Sequence, residues 1–196
     1  MHSDTRKRRW KLQFSLRTLL LSFIPFALLF GWIGLRMQQA RERAAFEEQF
    51  QGGYANFTWE DGEVKRAYLS DISNGAKVTD KDISRLSGLK SIVALEIGPA
   101  HSITDESIET IGKLTSLRIL GLEDTGVTAA GLVHLNSHRN LAMVDLTRTR
   151  VGDEALTHLA TLPKLEKLWF QDHDITEAGL VLFAEVPQLE RTAIKR

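Results

Sequence analysis

The sequence contains no cysteine, which removes three chemistries at once. There is no disulfide framework, no thiolate to hold a metal and no cysteine nucleophile, while either redox compartment stays open. A P-loop, a G-x-S-x-G elbow and an H-E-x-x-H helix are also missing, so the common signatures of phosphate transfer, serine hydrolysis and zinc hydrolysis are not offered. The formal net charge is zero and 43% of residues are apolar, a composition that suits one folded domain rather than a disordered chain. The zero conceals an asymmetry. Residues 1–17 carry a net +5, from Arg6, Lys7, Arg8, Arg9, Lys11 and Arg17 against Asp4, and the remainder carries −5. Ends that differ so much in sign meet different surroundings.

The stretch from Thr18 to Leu35 holds no formal charge. As a helix rising about 1.5 Å per residue it covers ~27 Å, close to the hydrocarbon core of a bilayer. Pro25 is tolerated better in a membrane helix than in a soluble one, and Trp32 suits an interface. The run is longer than the apolar core of a cleaved signal, and Gly34 to Ala40 offers no small-x-small cleavage site, which favours an uncleaved anchor. Cations before the helix and mixed charge after it place the N-terminus in the cytoplasm and the rest outside. Arg8-Arg9 is not followed by the apolar pair of a twin-arginine signal. The basic tail reads as an orientation signal beside anionic lipid, and no nucleic-acid partner is expected. Met37 to Phe50 has helix-forming residues and no Pro or Gly, so a stalk is predicted up to Gln51-Gly52-Gly53. Tyr54 to Trp59, Asp61-Gly62 and Val64 to Ile72 then predict a hairpin, since Asp-Gly accepts the positive φ of a tight turn. Asn56-Phe57-Thr58 fits the glycosylation sequon, a match too short to carry weight.

From Val78 the chain repeats with a period of 24, one residue longer in the first of five blocks. Apolar residues recur at block positions 1, 6, 9, 12, 15, 18 and 20, as in Ile103, Ile108, Ile111, Leu114, Leu117, Leu120 and Leu122. Three-residue steps suit a helix face and the final two-residue step a strand, so each block predicts a helix followed by a strand. Thr79-Asp80, Thr104-Asp105 and Gly152-Asp153 mark helix starts. Neither half buries its apolar side alone; stacked blocks bury all seven positions and align the strands in parallel. The predicted organisation is a basic cytoplasmic tail over 1–17, a transmembrane helix over 18–35, a helical stalk over 36–51, a cap hairpin over 52–77 and five repeats over 78–196.

The pattern L-x-x-L-x-x-L-x-L followed by Thr, as in Leu114 to Thr125, resembles leucine-rich repeats of the ribonuclease-inhibitor-like class. The resemblance covers residues 78–196 and implies an α/β solenoid with strands inside and helices outside, used chiefly to bind proteins. With the preceding basic tail and apolar helix, the chain resembles small bacterial membrane-anchored leucine-rich-repeat proteins. It departs from the pattern in three places. Thr125, Thr149 and His173 stand where the family often has Asn or Cys; His138 replaces the apolar residue at position 12 of the third block, which predicts loosened packing or an outward helix end; and no polar cap follows the last block.

Strand alternation sends positions 17, 19 and 21 to the open concave face. There stand Ala94, Glu96 and Gly98; Ile119, Gly121 and Glu123; Met143, Asp145 and Thr147; Lys167, Trp169 and Gln171; and Arg191, Ala193 and Lys195. Trp169 beside Met143 and Ile119 has the character of an interface centre, with Asp145, Lys167, Glu123, Gln171 and Arg191 around it. A membrane-tethered module binding a protein partner through this face is the predicted function. Two readings stand beside it: a surface metal-dependent enzyme using His134, His138 and His158, and a spacer without a specific ligand. Against the former, position 8 faces solvent and no carboxylate is placed as a further ligand. The acidic pairs Glu123-Asp124 and Asp172, Asp174 read as turn residues. No catalytic residue, cofactor or metal is predicted.

Overall fold

In the computed structural model the backbone is described for residues 16–50, 53–73, 75–171 and 175–184, with the side chains of 16–23, 180 and 182–184 left aside. The chain divides into two compact units, residues 1–44 and 45–196. Helix α1, Leu16–Glu47, merges the expected anchor and stalk and ends before the expected stop. Among the described residues no helix is long and apolar enough to cross a membrane, so the transmembrane helix expected over 18–35 is not found there; the side chains of its first six residues lie outside the described set. From Ile24 to Met37 the apolar side chains Ile24, Phe26, Leu28, Leu29, Phe30, Trp32, Ile33, Leu35 and Met37 are 37% to 69% exposed. The basic tail lies outside the described residues.

In the second unit, β1 (Tyr54–Glu60) and β2 (Glu63–Ser70) form an antiparallel hairpin. Its two-residue turn holds Asp61 at φ 51° and Gly62 at φ 82°, the left-handed pair that matches the twist of a hairpin. Phe57 and Trp59 meet Phe46 at ring-centroid distances of 5.0 and 5.6 Å, and Phe50 lies 4.8 Å from Phe57. Glu47 accepts a hydrogen bond from the Trp59 indole at 2.9 Å. This aromatic cluster closes the first end of the apolar core.

The hairpin is also part of the repeat sheet, so the sheet is mixed rather than wholly parallel. Strand order is β1-β2-β3-β4-β5-β6, with β3 at Ala94–Ile97, β4 at Ile119–Gly121, β5 at Met143–Asp145 and β6 at Lys167–Trp169. Every pairing after β1 is parallel. Ala67 and Leu69 of β2 pair with Leu95 and Ile97 and are buried like them. The second strand of the hairpin thus stands in for a repeat strand.

Each repeat strand is followed by a short helix on the other side of the core: α2 at Asp80–Ser84, α3 at Asp105–Ile111, α4 at Ala129–Leu132, α5 at Asp153–Leu159 and α6 at Glu177–Ala184. At the two inward strand positions of their blocks, Leu95, Ile97, Leu120, Leu122, Val144, Leu146, Leu168 and Phe170 are all buried, as are Ile108, Ile111, Leu156 and Leu159 on the helix side. The strand expected in the fifth block lies outside the described residues.

The Thr-Asp pairs do more than start helices. Asp80 accepts from the Thr104 backbone N and Oγ1 at 2.9 and 2.8 Å, Asp105 from Thr128 at 2.8 and 2.7 Å, and Asp153 from Thr176 at 2.8 and 2.5 Å. Each carboxylate satisfies the free N–H at the start of the next repeat's helix, so the cap crosses the junction between repeats. A rung needs space at position 5 of the following block. Ser107 donates to Asp80 there, and at Gly131 and Gly179 any Cβ would collide with Asp105 and Asp153. At the third junction all three parts change together: Ala129 replaces the carboxylate, Gly152 the hydroxyl and Ala155 the small partner. A cleft of about 480 Å³ lined by Ala129, Gly152 and Asp153 opens at this junction.

Position 23 behaves differently from an inter-repeat ladder. Thr125 and Thr149 are buried and donate to the carbonyls of Leu122 and Leu146, three residues back in their own block, at 2.8 and 2.6 Å. The hydroxyls close each turn locally. His173 lies outside the described residues.

Candidate functional site

Because neighbouring strands pair without offset, the side chains at block positions 17 and 19 form straight rows across one face of the sheet. One row runs Arg66, Ala94, Ile119, Met143, Lys167 and the other Tyr68, Glu96, Gly121, Asp145, Trp169. A groove of about 400 Å³ follows them, with Tyr68, Glu96, Ile119, Gly121, Met143, Asp145 and Trp169 in its lining. Glu123 lines it from position 21. Ile119, Met143, Asp145, Glu123 and Trp169 are half-buried. Lys167 is exposed and Gln171 half-buried, and neither lines the groove. Arg191 lies outside the described residues. Three positions expected on the open face, Ala94, Gly98 and Thr147, are buried instead. Ala94 is a methyl standing in register between the longer Arg66 and Ile119, and Thr147 turns its hydroxyl onto Asp145 Oδ1 at 2.5 Å.

Tyr68 is an addition to the face expected from the repeats. Its hydroxyl donates to the Gly98 carbonyl at 3.1 Å and its ring meets Tyr54 edge-on at 5.9 Å, which leaves it 38% exposed beside the groove. The buried-exposed alternation of Ala67, Tyr68 and Leu69 repeats that of Leu95, Glu96 and Ile97, so Tyr68 takes the place of a position-19 side chain on this face. Gly98 makes this approach possible: at φ 139° it occupies a conformation that favours glycine, and a Cβ there would collide with the Glu123 carbonyl.

The acids of the face are not equivalent. Glu123 is paired with Arg148 at 2.9 Å, and Asp124 lies 3.4 Å from His101; these are ion-paired turn residues, with Asp124 and Arg148 at positive φ. Asp145 accepts from the Thr147 backbone N at 2.9 Å through Oδ1. The Glu96 side chain is exposed and has no hydrogen bond or ion pair among the described residues. Asp172 and Asp174 lie outside the described residues.

The histidines do not converge. The helix carrying His134 changes to a 3-10 turn at Val133–Leu135, so His134 and His138 do not share one helical face. His134 is exposed and His158 half-buried. The sequence predicts that His138 loosens the packing or pushes its helix end outward; the ring itself stays inside, fully buried, with Nε2 3.1 Å from the Ile111 carbonyl. A carbonyl only accepts, so Nε2 carries the proton and Nδ1 is a bare lone pair with no hydrogen-bond partner among the described residues. Burial pushes its pKa below the ordinary imidazole value, partly offset by the Ile111 bond. Among the described residues no three His, Asp or Glu side chains are grouped to hold a metal ion.

No protein-family model matches the chain, and no curated protein matches it. Solved structures do. An internalin (inlF) from Listeria monocytogenes superposes with a TM-score of 0.50 at 23% identity over 65% of this chain and 35% of that one. Internalin C2 (inlC2) from the same organism gives 0.49 at 23% identity, over 62% and 49%. The chain therefore spans half or less of the length of these structures. Internalins are leucine-rich-repeat proteins, and the fold is of that kind.

Proposed function

We propose that the protein is a membrane-tethered recognition module that holds a protein partner on the concave face of its repeats. The observation that carries this reading is the groove itself, in which Trp169, Met143 and Ile119 offer apolar area beside carboxylates and are held by a rigid sheet. A half-buried indole amid apolar neighbours with a charged rim is the composition of an interface centre. The internalin-like fold supports a protein-interaction role, and a helix following each repeat strand supports the ribonuclease-inhibitor-like form of the repeat. Non-enzymatic action is part of the proposal.

The tether rests on α1. Its apolar side chains from Ile24 to Met37 are exposed, and a helical stretch of such residues, uncharged until Arg36, suits an apolar surrounding better than water. With the +5 tail before it, the N-terminus is placed in the cytoplasm and the repeats outside. Two measurements test the whole reading. Protease added to spheroplasts should digest the repeats of the native chain; protection until the membrane is broken overturns the orientation. Crosslinking in native membranes should recover a partner that Trp169→Ala loses at unchanged melting temperature. Loss of stability by several kcal/mol, as for a truncated core aromatic, would instead make Trp169 a packing residue.

A further inference from the structure

The row Tyr68, Glu96, Gly121, Asp145, Trp169 is symmetric in chemistry about its glycine. Carboxylates flank Gly121, and aromatic rings flank the carboxylates. With strands about 4.8 Å apart, the backbones bearing the two carboxylates stand ~10 Å from each other. Nothing in the strand demands glycine between them: a Cβ at Gly121 would rest 3.4 Å from Glu96 Cα and Cγ, an ordinary contact. The glycine's effect is to leave the interval between the carboxylates open.

Those carboxylates lack a cation. Glu123 is compensated by Arg148, whereas Glu96 and Asp145 form no ion pair among the described residues. Thr147 anchors Asp145 through Oδ1 alone, with its N and Oγ1, so Oδ2 is left for a ligand. The positive side chains of the neighbouring row, Arg66 and Lys167, stand at its two ends. Between them lie Ala94, Ile119 and Met143, which are apolar.

Resting on the concave-face reading, we propose that this row is the seat of an arginine side chain on an extended segment of the partner protein, its guanidinium lying over Gly121 between Glu96 and Asp145. An ammonium is a compact charge that satisfies one carboxylate at a time. A guanidinium carries donors on opposite edges, so it meets two carboxylates set apart, while the rings of Tyr68 and Trp169 stand beyond those carboxylates at the two ends of the row. Ile119 and Met143 then cover the aliphatic stem of the same side chain. Phosphate-bearing ligands are disfavoured by the same two carboxylates.

The test uses the full chain in detergent micelles with nitrogen-15 tryptophan, the Trp169 indole signal being identified by its disappearance in Trp169→Phe. The probes are acetyl-Val-Arg-Val-amide and its lysine and citrulline counterparts. The arginine peptide should move the signal saturably, and the lysine and citrulline peptides should bind about tenfold more weakly or worse, since one loses the fork and the other the charge. Glu96→Gln with Asp145→Asn should weaken the arginine peptide to the level of citrulline, and Gly121→Ala, which fills the interval, should weaken it at unchanged melting temperature. No saturable shift, equal binding of citrulline, or indifference to the carboxylate pair overturns the proposal. Crosslinking in native membranes separates the two readings. A partner lost by Trp169→Ala but kept by Glu96→Gln with Asp145→Asn leaves the concave face as the interface and removes the arginine seat; a partner kept by all of these variants removes both.

Discussion

Replacing His138 with leucine should stabilise the protein, against the usual direction of core substitutions. Position 12 holds Leu89, Leu114 and Leu162 in other blocks, so the solenoid already accommodates leucine there. The imidazole's Nδ1 is buried without a hydrogen-bond partner among the described residues, a state that costs about 1–3 kcal/mol relative to an apolar group of the same shape. Losing the bond from Nε2 to the Ile111 carbonyl gives back ~1 kcal/mol, and that carbonyl is not orphaned, because it also accepts from Leu114 N at 2.9 Å. Imperfect repacking of a similar volume costs under about 1.5 kcal/mol, while the larger apolar surface of leucine contributes in the other direction. The net expectation is a gain of about 1 kcal/mol, or roughly 2–4 °C in melting temperature for a domain of this size.

The same substitution should remove a pH dependence. The pKa of His138 is lowered in the folded state from 6.5, so the unfolded chain binds the proton more readily. Stability from the neutral ring is full above about 6.5 and is lost as pH falls from there through the folded value. Thermal melts of the full chain in micelles, followed by circular dichroism at neutral and mildly acidic pH, should show the wild type losing more stability than His138→Leu. Taking the difference between the two proteins cancels the other five histidines, including His101 beside Asp124. A variant that melts below wild type, or one that keeps the wild-type slope with pH, would refute the argument, because it would mean that Nδ1 is satisfied in the fold.

Asp105→Ala should cost about 1–2 kcal/mol in a urea titration, since both bonds to Thr128 go and its N–H is left without its cap; no change in midpoint would show that the rungs carry no load. The triple change Ala129→Asp, Gly152→Thr and Ala155→Ser should install the missing rung and raise the midpoint, whereas Ala129→Asp alone should lower it. Leu120→Ala, at a residue 1% exposed, should cost about 2–5 kcal/mol and unfold neighbouring repeats with its own; a melting shift under about one degree would place Leu120 outside the core. Acid should weaken the Asp153 rung, whose pKa its Thr176 bonds hold below the ordinary carboxylate value: its contribution is present above the unfolded value and fades as pH falls through the folded one, so Thr176→Val should flatten the stability curve only at acidic pH.

The parts of the fold legible in the sequence are those set by a single repeating demand. Seven positions, apolar in nearly every block, define which side of each helix and strand is buried, and Leu120, Leu146 and Phe170 are buried accordingly. Features that depend on two blocks at once are not legible in this way. Asp80 looks like a helix-start residue within its own block, and its bonds to Thr104 become visible only when the next block is laid beside it. His138 illustrates the same limit from the other side. Its polarity predicts that it leaves the core, yet the Ile111 carbonyl of the preceding repeat gives Nε2 a partner inside, and keeping one bond while starving Nδ1 is evidently cheaper for this packing than opening a gap. Tyr68 is hidden from the sequence pattern because its hairpin has the marks of a separate cap, and only the pairing with β3 makes it the sheet's next strand.

The positions proposed to carry recognition are those that the burial pattern of the repeat leaves free to vary. Burial dictates positions 18 and 20, and junction bonding dictates positions 2, 3 and 5 together, which is why Ala129, Gly152 and Ala155 depart as a set. Position 19 is not fully buried in any described block, and its residue changes from Glu96 to Gly121, Asp145 and Trp169 with Tyr68 in register beside them; of these side chains Tyr68 and Asp145 also bond within the fold, to the Gly98 carbonyl and to Thr147. Glu96 forms no ion pair among the described residues and Asp145 keeps Oδ2 clear of its Thr147 bonds, so the flanking of one glycine by these two acids states what a ligand of this row would bring: positive charge and the reach to touch both acids at once.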